Sequence, residues 1–283
     1  MLPSLFNVAR ALRGARSGHM SMSTLIGVDR VDDGRVAVVS FDKQHAMNAM
    51  CEDMGRQFRR EMQLLSKDKE LRALVLTGAG ARAFSAGGDL DWILERSTSE
   101  AQDNVEIMRR FYSRFLSVME VPVPTIAALN GAAVGAGMCV ALACDMRVAA
   151  ANARLGLAFL PLGLHPGMAA THLLPQTVGH ETAARLLLTG ELVGASKAKQ
   201  IGLVGDVVEE GQALEKALEL ARTFTDKSPT AVRALTATLR SQRRANLERA
   251  LQREADAQAH CYATQDLKDC VTGMQEQIAR KKK

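Results

Sequence analysis

Residues 130–145 read NGAAVGAGMCVALACD, from Asn130 to Asp145. Three glycines and five alanines crowd the junction between a β-branched run, TIAALNG (Thr125–Gly131), and an unbroken apolar stretch from Met138 to Cys144. The first amides of a helix have no internal partner and point outward, so a small-residue turn feeding a helix is suited to holding something negative. Nucleotide motifs do not account for it: no GK[ST] follows, and Gly135-Ala-Gly137 lacks the third glycine and the later ribose-binding acid. A second turn of the same kind, FSAGGDLDW (Phe84–Trp92), follows the run ALVLTG (Ala73–Gly78) after a short loop. In both, small residues at a strand end let backbone N–H groups approach a ligand atom closely. Two such amides converging on one oxygen make an oxyanion hole, which stabilises an enolate or a tetrahedral alkoxide. Tight packing is the alternative reading, and the residues alone leave both open.

Outward from these turns, VAVVSF (Val36–Phe41), ALVLTG, TIAALNG and MRVAA (Met146–Ala150) read as buried strands bounded by turn residues. Between the first two, Met54, Phe58, Met62 and Leu65 recur at helical spacing. Val105, Met108, Phe111, Tyr112, Phe115, Leu116 and Met119 do so between the second and third, and both stripes read as core. Strand–helix alternation predicts an α/β domain. From Ala213 to Ala279 the pattern is helical, broken at KSPT, where Ser228 can cap a helix that Pro229 opens. The organisation expected is a transit peptide or disordered start at 1–22, an α/β core at 23–205 and a helical region at 206–283.

The formal charge of +5 is confined to the ends. Arg10, Arg13 and Arg16, with the terminal Arg280, Lys281, Lys282 and Lys283, supply seven of the 36 cations against 31 acids, so the body is slightly acidic. That argues against a nucleic-acid groove. No acid precedes Asp29, and Leu5, Val8, Ala9 and Leu12 lie on one helical face, the composition of a mitochondrial transit peptide. No later segment is long and apolar enough to span a membrane. Five cysteines without a CxxC pair fit a reducing compartment rather than a disulfide framework or a structural zinc site. Six histidines without HExxH give no metal-ligand set.

The ordered landmarks HAMNAM, GAGARAFSAGGDL, PVPTIAALNGAAVGAGMCVALACD, LGLAFLPLGLHPG and LLLTGELVGASKAKQIGLVGDVV resemble the crotonase superfamily, the enoyl-CoA hydratase/isomerase family, from about Val36 to the C-terminus. The resemblance implies a ClpP/crotonase-like spiral of ββα units with a C-terminal helical oligomerisation region. It also implies assembly as a trimer or a dimer of trimers, and an acyl-CoA substrate, with coenzyme A as the substrate carrier rather than a permanently bound cofactor. By position, the family's oxyanion amides fall on Gly88 and Ala136. The coenzyme A path would pass His45, Ala46 and Met47, then Ala86, Asp89 and Leu90, with Arg280 or Lys281 able to reach a phosphate. The label implied is an enoyl-CoA hydratase/isomerase (lyase or isomerase) of mitochondrial fatty-acid or branched amino-acid breakdown, in the matrix.

The pattern departs from the family where proton transfer is needed. Hydratases of this kind use two glutamates; here the matching positions are Cys139 and Phe159, and a third position, acidic in some relatives, is Gly167. Phenylalanine exchanges no proton, and a thiol among Met138, Val140 and Ala141 has a raised pKa and makes a poor base. His165 carries an imidazole, a side chain suited to shuttling a proton, and is a candidate acid/base, with a loop histidine bonded to nearby backbone as the alternative. Asp89, Asp91 and Glu95 follow the first turn as further candidates, Asp89 more naturally as a structural acceptor. Three outcomes therefore stand beside one another: a lyase or isomerase with non-standard acid/base groups, an acyl-CoA hydrolase or decarboxylase, and a non-catalytic acyl-CoA binder.

Overall fold

The computed structural model describes residues 24–281; the leader expected at residues 1–22 and the side chain of Lys281 lie outside the described residues. The strands are, in chain order, Ile26–Val31 (β1), Val36–Phe41 (β2), Ala73–Gly78 (β3), Ala83–Ser85 (β4), Thr125–Leu129 (β5), Ala132–Val134 (β6), Met146–Ala150 (β7), Arg154–Gly156 (β8), Val193–Gly194 (β9) and Asp206–Val208 (β10). They form a six-stranded sheet in the order β1-β2-β3-β5-β7-β10 and a four-stranded sheet in the order β4-β6-β8-β9. All pairings are parallel except β1 with β2 and β8 with β9. The helices are Glu52–Lys67 (α1), Leu90–Glu95 (α2), Ala101–Phe115 (α3), Ala136–Ala143 (α4), Ala170–Val178 (α5), His180–Thr189 (α6), Ala195–Gln200 (α7), Ala213–Thr225 (α8), Pro229–Arg244 (α9), Leu247–Tyr262 (α10) and Gln265–Lys281 (α11).

The ββα repeat is direct: β3-β4-α2, β5-β6-α4 and β7-β8-α5 each place one strand in the large sheet, the next in the small sheet, and a helix after it. The period-2 alternation of the large sheet splits its side chains between two cores. Val36, Val38, Ala73, Val75, Ile126, Ala128, Val148 and Ala150 pack on one face under α8, which contributes Ala213, Ala217, Leu218 and Ala221. Ala37, Val39, Phe41, Leu74, Leu76, Ala127 and Leu129 face the main core with α1, α3 and α4. Both predicted stripes are in that core: Met54, Phe58, Met62 and Leu65 on α1, and Met108, Phe111, Tyr112 and Phe115 on α3. Phe58 and Phe115 stack at 5.8 Å between ring centroids.

The region after residue 205 opens with β10 at the edge of the large sheet and α8 across its face, so both complete the α/β core. Ser228 caps α9 by accepting from the Ala231 amide, with Pro229 at the first helical position. Beyond it, α10 lies along α3, and α11 lies against α2 and the 160–162 turn. No helix among the described residues is long and apolar enough to cross a membrane.

Candidate active site

Strands β4 and β6 are parallel neighbours, with Ala83 opposite Ala132 and Ser85 opposite Ala133, so the turns that follow them leave the sheet side by side. This pairing is why two segments about fifty residues apart converge. Each turn is opened by a glycine in the left-handed half of φ,ψ space: Gly87 at φ +104° before Gly88, and Gly135 at φ +52° before Ala136. A Cβ on Gly87 would sit 2.9 Å from the Val134 carbonyl oxygen and 3.7 Å from the Ala136 nitrogen, so the two turns are in contact and a side chain there would part them.

The amides of Gly88 and Ala136 have no hydrogen-bond partner among the described residues. Their neighbours are all engaged. Met50 donates to the Gly87 carbonyl (2.7 Å) and accepts from the Asp89 amide (2.9 Å), the Gly87 amide donates to Ser85 Oγ (3.2 Å), and the Gly135 amide donates to the Gly156 carbonyl (2.9 Å). Ala136 is also the first residue of α4, whose N-terminal end carries positive partial charge. Two free donors thus lie on adjoining turns, one of them with a helix field behind it.

The first turn is braced by the 43–50 loop. Met47 and Asn48 hold left-handed conformations (φ 53° and 55°). The buried Asn48 accepts from the Lys43 amide and donates to the Ala79 and Ala83 carbonyls, while Ser85 Oγ donates to the Asn48 carbonyl (2.8 Å). The Ala86 amide donates to the Met47 carbonyl at 2.9 Å, so His45–Met47 and Ala86–Leu90 form one rim beside Gly88. His45 and Ala86 are exposed on it; Ala46, Met47, Asp89 and Leu90 are half-buried. Asp89 caps α2 through the Asp91 and Trp92 amides and pairs with Lys43 Nζ at 2.7 Å. Burial alone would raise its pKa; the Lys43 hydrogen bond and charge outweigh that and hold it below the usual carboxylate range. Asp89 is thereby committed to structure. Asp91 accepts from Gln275 of α11 (2.7 Å), and Arg280 stands exposed beside Glu276.

Cys139 and Gly167 meet: the Cys139 thiol donates to the Gly167 carbonyl (3.4 Å). Burial, reinforced by the charge of Glu254, pushes the thiol pKa well up, which makes it a packing group and not a base. Phe159 is buried in the same core. A side chain at Gly167 has no room, because its Cβ would come within 2.4 Å of Tyr112 Oη and 3.0 Å of Gln258 Nε2. Tyr112 donates to Gln258 Oε1 (2.7 Å), and Gln258 Nε2 donates to the His165 carbonyl (2.8 Å). His165 is half-buried, and its Nδ1 lies 2.7 Å from the Pro166 carbonyl oxygen, to which it donates. His172 Nε2 lies 2.8 Å from the Arg243 carbonyl, engaged on the α9 side.

The residue that sequence reading missed is Glu254 on α10. It is 1% exposed and accepts from the Ala169 amide (2.7 Å), the Thr171 amide (2.8 Å) and Thr171 Oγ1 (2.6 Å), so it caps α5 beneath the Gly167 turn. Burial raises its pKa to about 7 against the pull of those three bonds. The folded state therefore binds a proton more tightly than the unfolded chain, whose carboxyl titrates near 4.5. Stability falls as pH rises through that window, by on the order of 3 kcal/mol in all. In Glu254→Gln the thermal midpoint should lose this slope between about pH 4.5 and 7; a slope identical to that of the parent would rule the assignment out.

The sequence from residue 32 to 282 matches the family model described as Enoyl-CoA hydratase/isomerase. The chain is 34% identical to a short-chain-enoyl-CoA hydratase of Clostridium acetobutylicum over 86% of its own length and 92% of the relative's. It is 30% identical to the mitochondrial methylglutaconyl-CoA hydratase of Mus musculus over 82% and 74% of the two chains. Its fold superposes on the crystal structure of an enoyl-CoA hydratase/isomerase from Mycobacterium paratuberculosis with a TM-score of 0.81, covering 89% of this chain and 99% of the other at 28% identity. The spiral of ββα units expected from the sequence is the fold observed, and the chain belongs to the enoyl-CoA hydratase/isomerase family.

Proposed function

We propose that the chain binds an acyl-CoA thioester with its carbonyl oxygen between the amides of Gly88 and Ala136, and stabilises the enolate formed when the α-carbon loses or gains a proton. The observation that carries this reading is the pair of unpartnered amides on touching turns, each set by a left-handed glycine. Such donors are worth several kcal/mol to a developing oxyanion because they need no reorganisation. The coenzyme would run along the His45–Met47 and Ala86–Leu90 rim through main-chain contacts. The working form would be a trimer or dimer of trimers in the mitochondrial matrix, delivered there by residues 1–22.

Cys139, Phe159 and Gly167 place no ionisable group where water would be activated, other than a thiol with a raised pKa. That favours, as a second reading, chemistry that needs the enolate but not two carboxylates, such as decarboxylation. Incubation with crotonyl-CoA tests the first reading: loss of the conjugated-thioester absorbance is expected, and none over hours at high protein concentration would sink it. Release of free thiol from a panel of acyl-CoAs would instead mark a hydrolase, and tight binding with no turnover a non-catalytic binder. If Nε2 of His165 relays the proton, His165→Ala lowers turnover by about 10²-fold; unchanged turnover removes it.

A further inference from the structure

Helix α2 leaves the Gly88 turn directly and ends at Arg96. Its buried Ile93 would lie 3.0 Å from a Cβ at Gly88, so the helix starts beside the candidate amides and carries the chain from them to Arg96. At about 1.5 Å per residue it reaches roughly 9 Å, and with bonds of ~1.5 Å a chain of about five or six carbons covers most of that distance.

At the far end the Arg96 guanidinium lies over the Trp92 ring, 5.5 Å from its centroid, and Trp92 in turn stacks on Phe111 at 4.5 Å. The Arg96 side chain is only 16% exposed, yet its one ion pair among the described residues is with its chain neighbour Glu95, 3.5 Å away and itself 65% exposed. Arg96 Nε is buried with no hydrogen-bond partner. Asn104, 1% exposed, uses its amide N–H groups on the Arg96 carbonyl (2.8 Å) and the Ser99 carbonyl (3.5 Å), and its Oδ1 is likewise buried and unpaired. They are the two buried side-chain polar atoms without a partner among the described residues, and they belong to neighbouring residues in space. Structural arginines of this fold look different: Arg240, more deeply buried, uses all three of its nitrogens. An unpaired buried guanidinium nitrogen is costly unless something accepts from it.

We propose that Arg96 is a specificity-determining residue that receives a carboxylate at the far end of a short acyl chain carried on coenzyme A, so that the substrate class is a dicarboxylic mono-thioester. The inference rests on the acyl-CoA reading above. The fork of Nε and an Nη matches a carboxylate in two-bonded geometry, and the stacked rings hold the guanidinium in place for it. A hydrocarbon end would leave both polar groups unpaired. A carboxylate satisfies Arg96, and a water bound to it can donate to Asn104 Oδ1.

Calorimetric titration with adipoyl-CoA and hexanoyl-CoA tests this, since both are saturated, matched in length and unable to turn over as enoyl thioesters. The protein should bind adipoyl-CoA at least about tenfold tighter. Arg96→Gln should abolish that preference while leaving hexanoyl-CoA affinity unchanged, and Arg96→Lys should keep part of it. Equal affinities in the parent protein, or a preference that survives Arg96→Gln, would overturn the subsite and leave the acyl-CoA reading standing. If neither thioester binds, the acyl-CoA reading itself has failed. The comparison within the parent protein needs no variant to fold.

Discussion

Gly88→Pro is expected to lower kcat on whichever acyl-CoA is turned over by about 10²–10³-fold, the loss found when one oxyanion donor is removed. Proline deletes the amide hydrogen, which has no partner among the described residues. The bonds that fix the turn belong to its neighbours: the Met50 amide to the Gly87 carbonyl, the Asp89 amide to the Met50 carbonyl, and the Gly87 amide to Ser85 Oγ. Gly88→Ala is the matched control. It keeps the amide, and its Cβ meets only the flexible tip of Ile93, at 3.0 Å, so activity should be largely retained. A readout independent of turnover is the vibrational frequency of a bound thioester carbonyl. Two amides lower it by polarising the bond, and the proline variant should recover part of the shift. Unimpaired turnover together with an unchanged carbonyl frequency would remove Gly88 from the site.

The two turns were legible because each follows a strong buried strand, and small residues at a strand end have a limited set of uses. Strands β2, β3, β5 and β7 announce themselves as β-branched runs, and β2, β3 and β7 have the bounds that the sequence predicts. The small sheet did not, because β4, β6, β8 and β9 have two or three residues each, too short for any alternation to register. Its pairing of β4 with β6 is nevertheless what brings the amides together. Glu254 was invisible for a different reason: on a helix with mixed charges, nothing in its neighbourhood says that α5, eighty residues earlier, would bury it. Tyr112 was read as core, and its ring is; only the fold shows its hydroxyl filling the space beside Gly167. Arg96 was lost among the polar residues after the first turn because burial, not residue type, sets it apart.

Arg240→Met should cost about 3–5 kcal/mol, the range for breaking a buried ion pair on one side. Arg240 is 3% exposed on α9 and reaches Asp145, the residue that ends the stretch beginning at Asn130. Its Nε donates to Asp145 Oδ1 (2.8 Å) and its Nη2 to Asp145 Oδ2 (2.5 Å), and it also donates to the carbonyls of Met119 (3.1 Å), Val121 (2.5 Å) and Val123 (2.9 Å). Methionine fills much of the volume but takes the side-chain donor from the Val121 and Val123 carbonyls, leaves Met119 to Arg244, and leaves Asp145 held by the amide and hydroxyl of Thr125. For a domain of this size the midpoint should fall by about 10 °C. Burial pushes the Asp145 pKa up, but the Arg240 bond and charge outweigh it and hold the carboxyl below its ordinary value. The stabilisation is therefore present above that ordinary value and lost as pH falls, and the variant should show a flatter acid limb. Adding Asp145→Asn to Arg240→Met should restore part of the loss, because the carboxylate is then no longer left buried and unpaired. Asp145 follows the C-cap of α4, and Ala136 opens that helix, so the same substitution should loosen the turn that carries the candidate Ala136 amide and lower kcat along with the midpoint. A midpoint within about 2 °C of the parent would show that the pair does not hold α9 to the core.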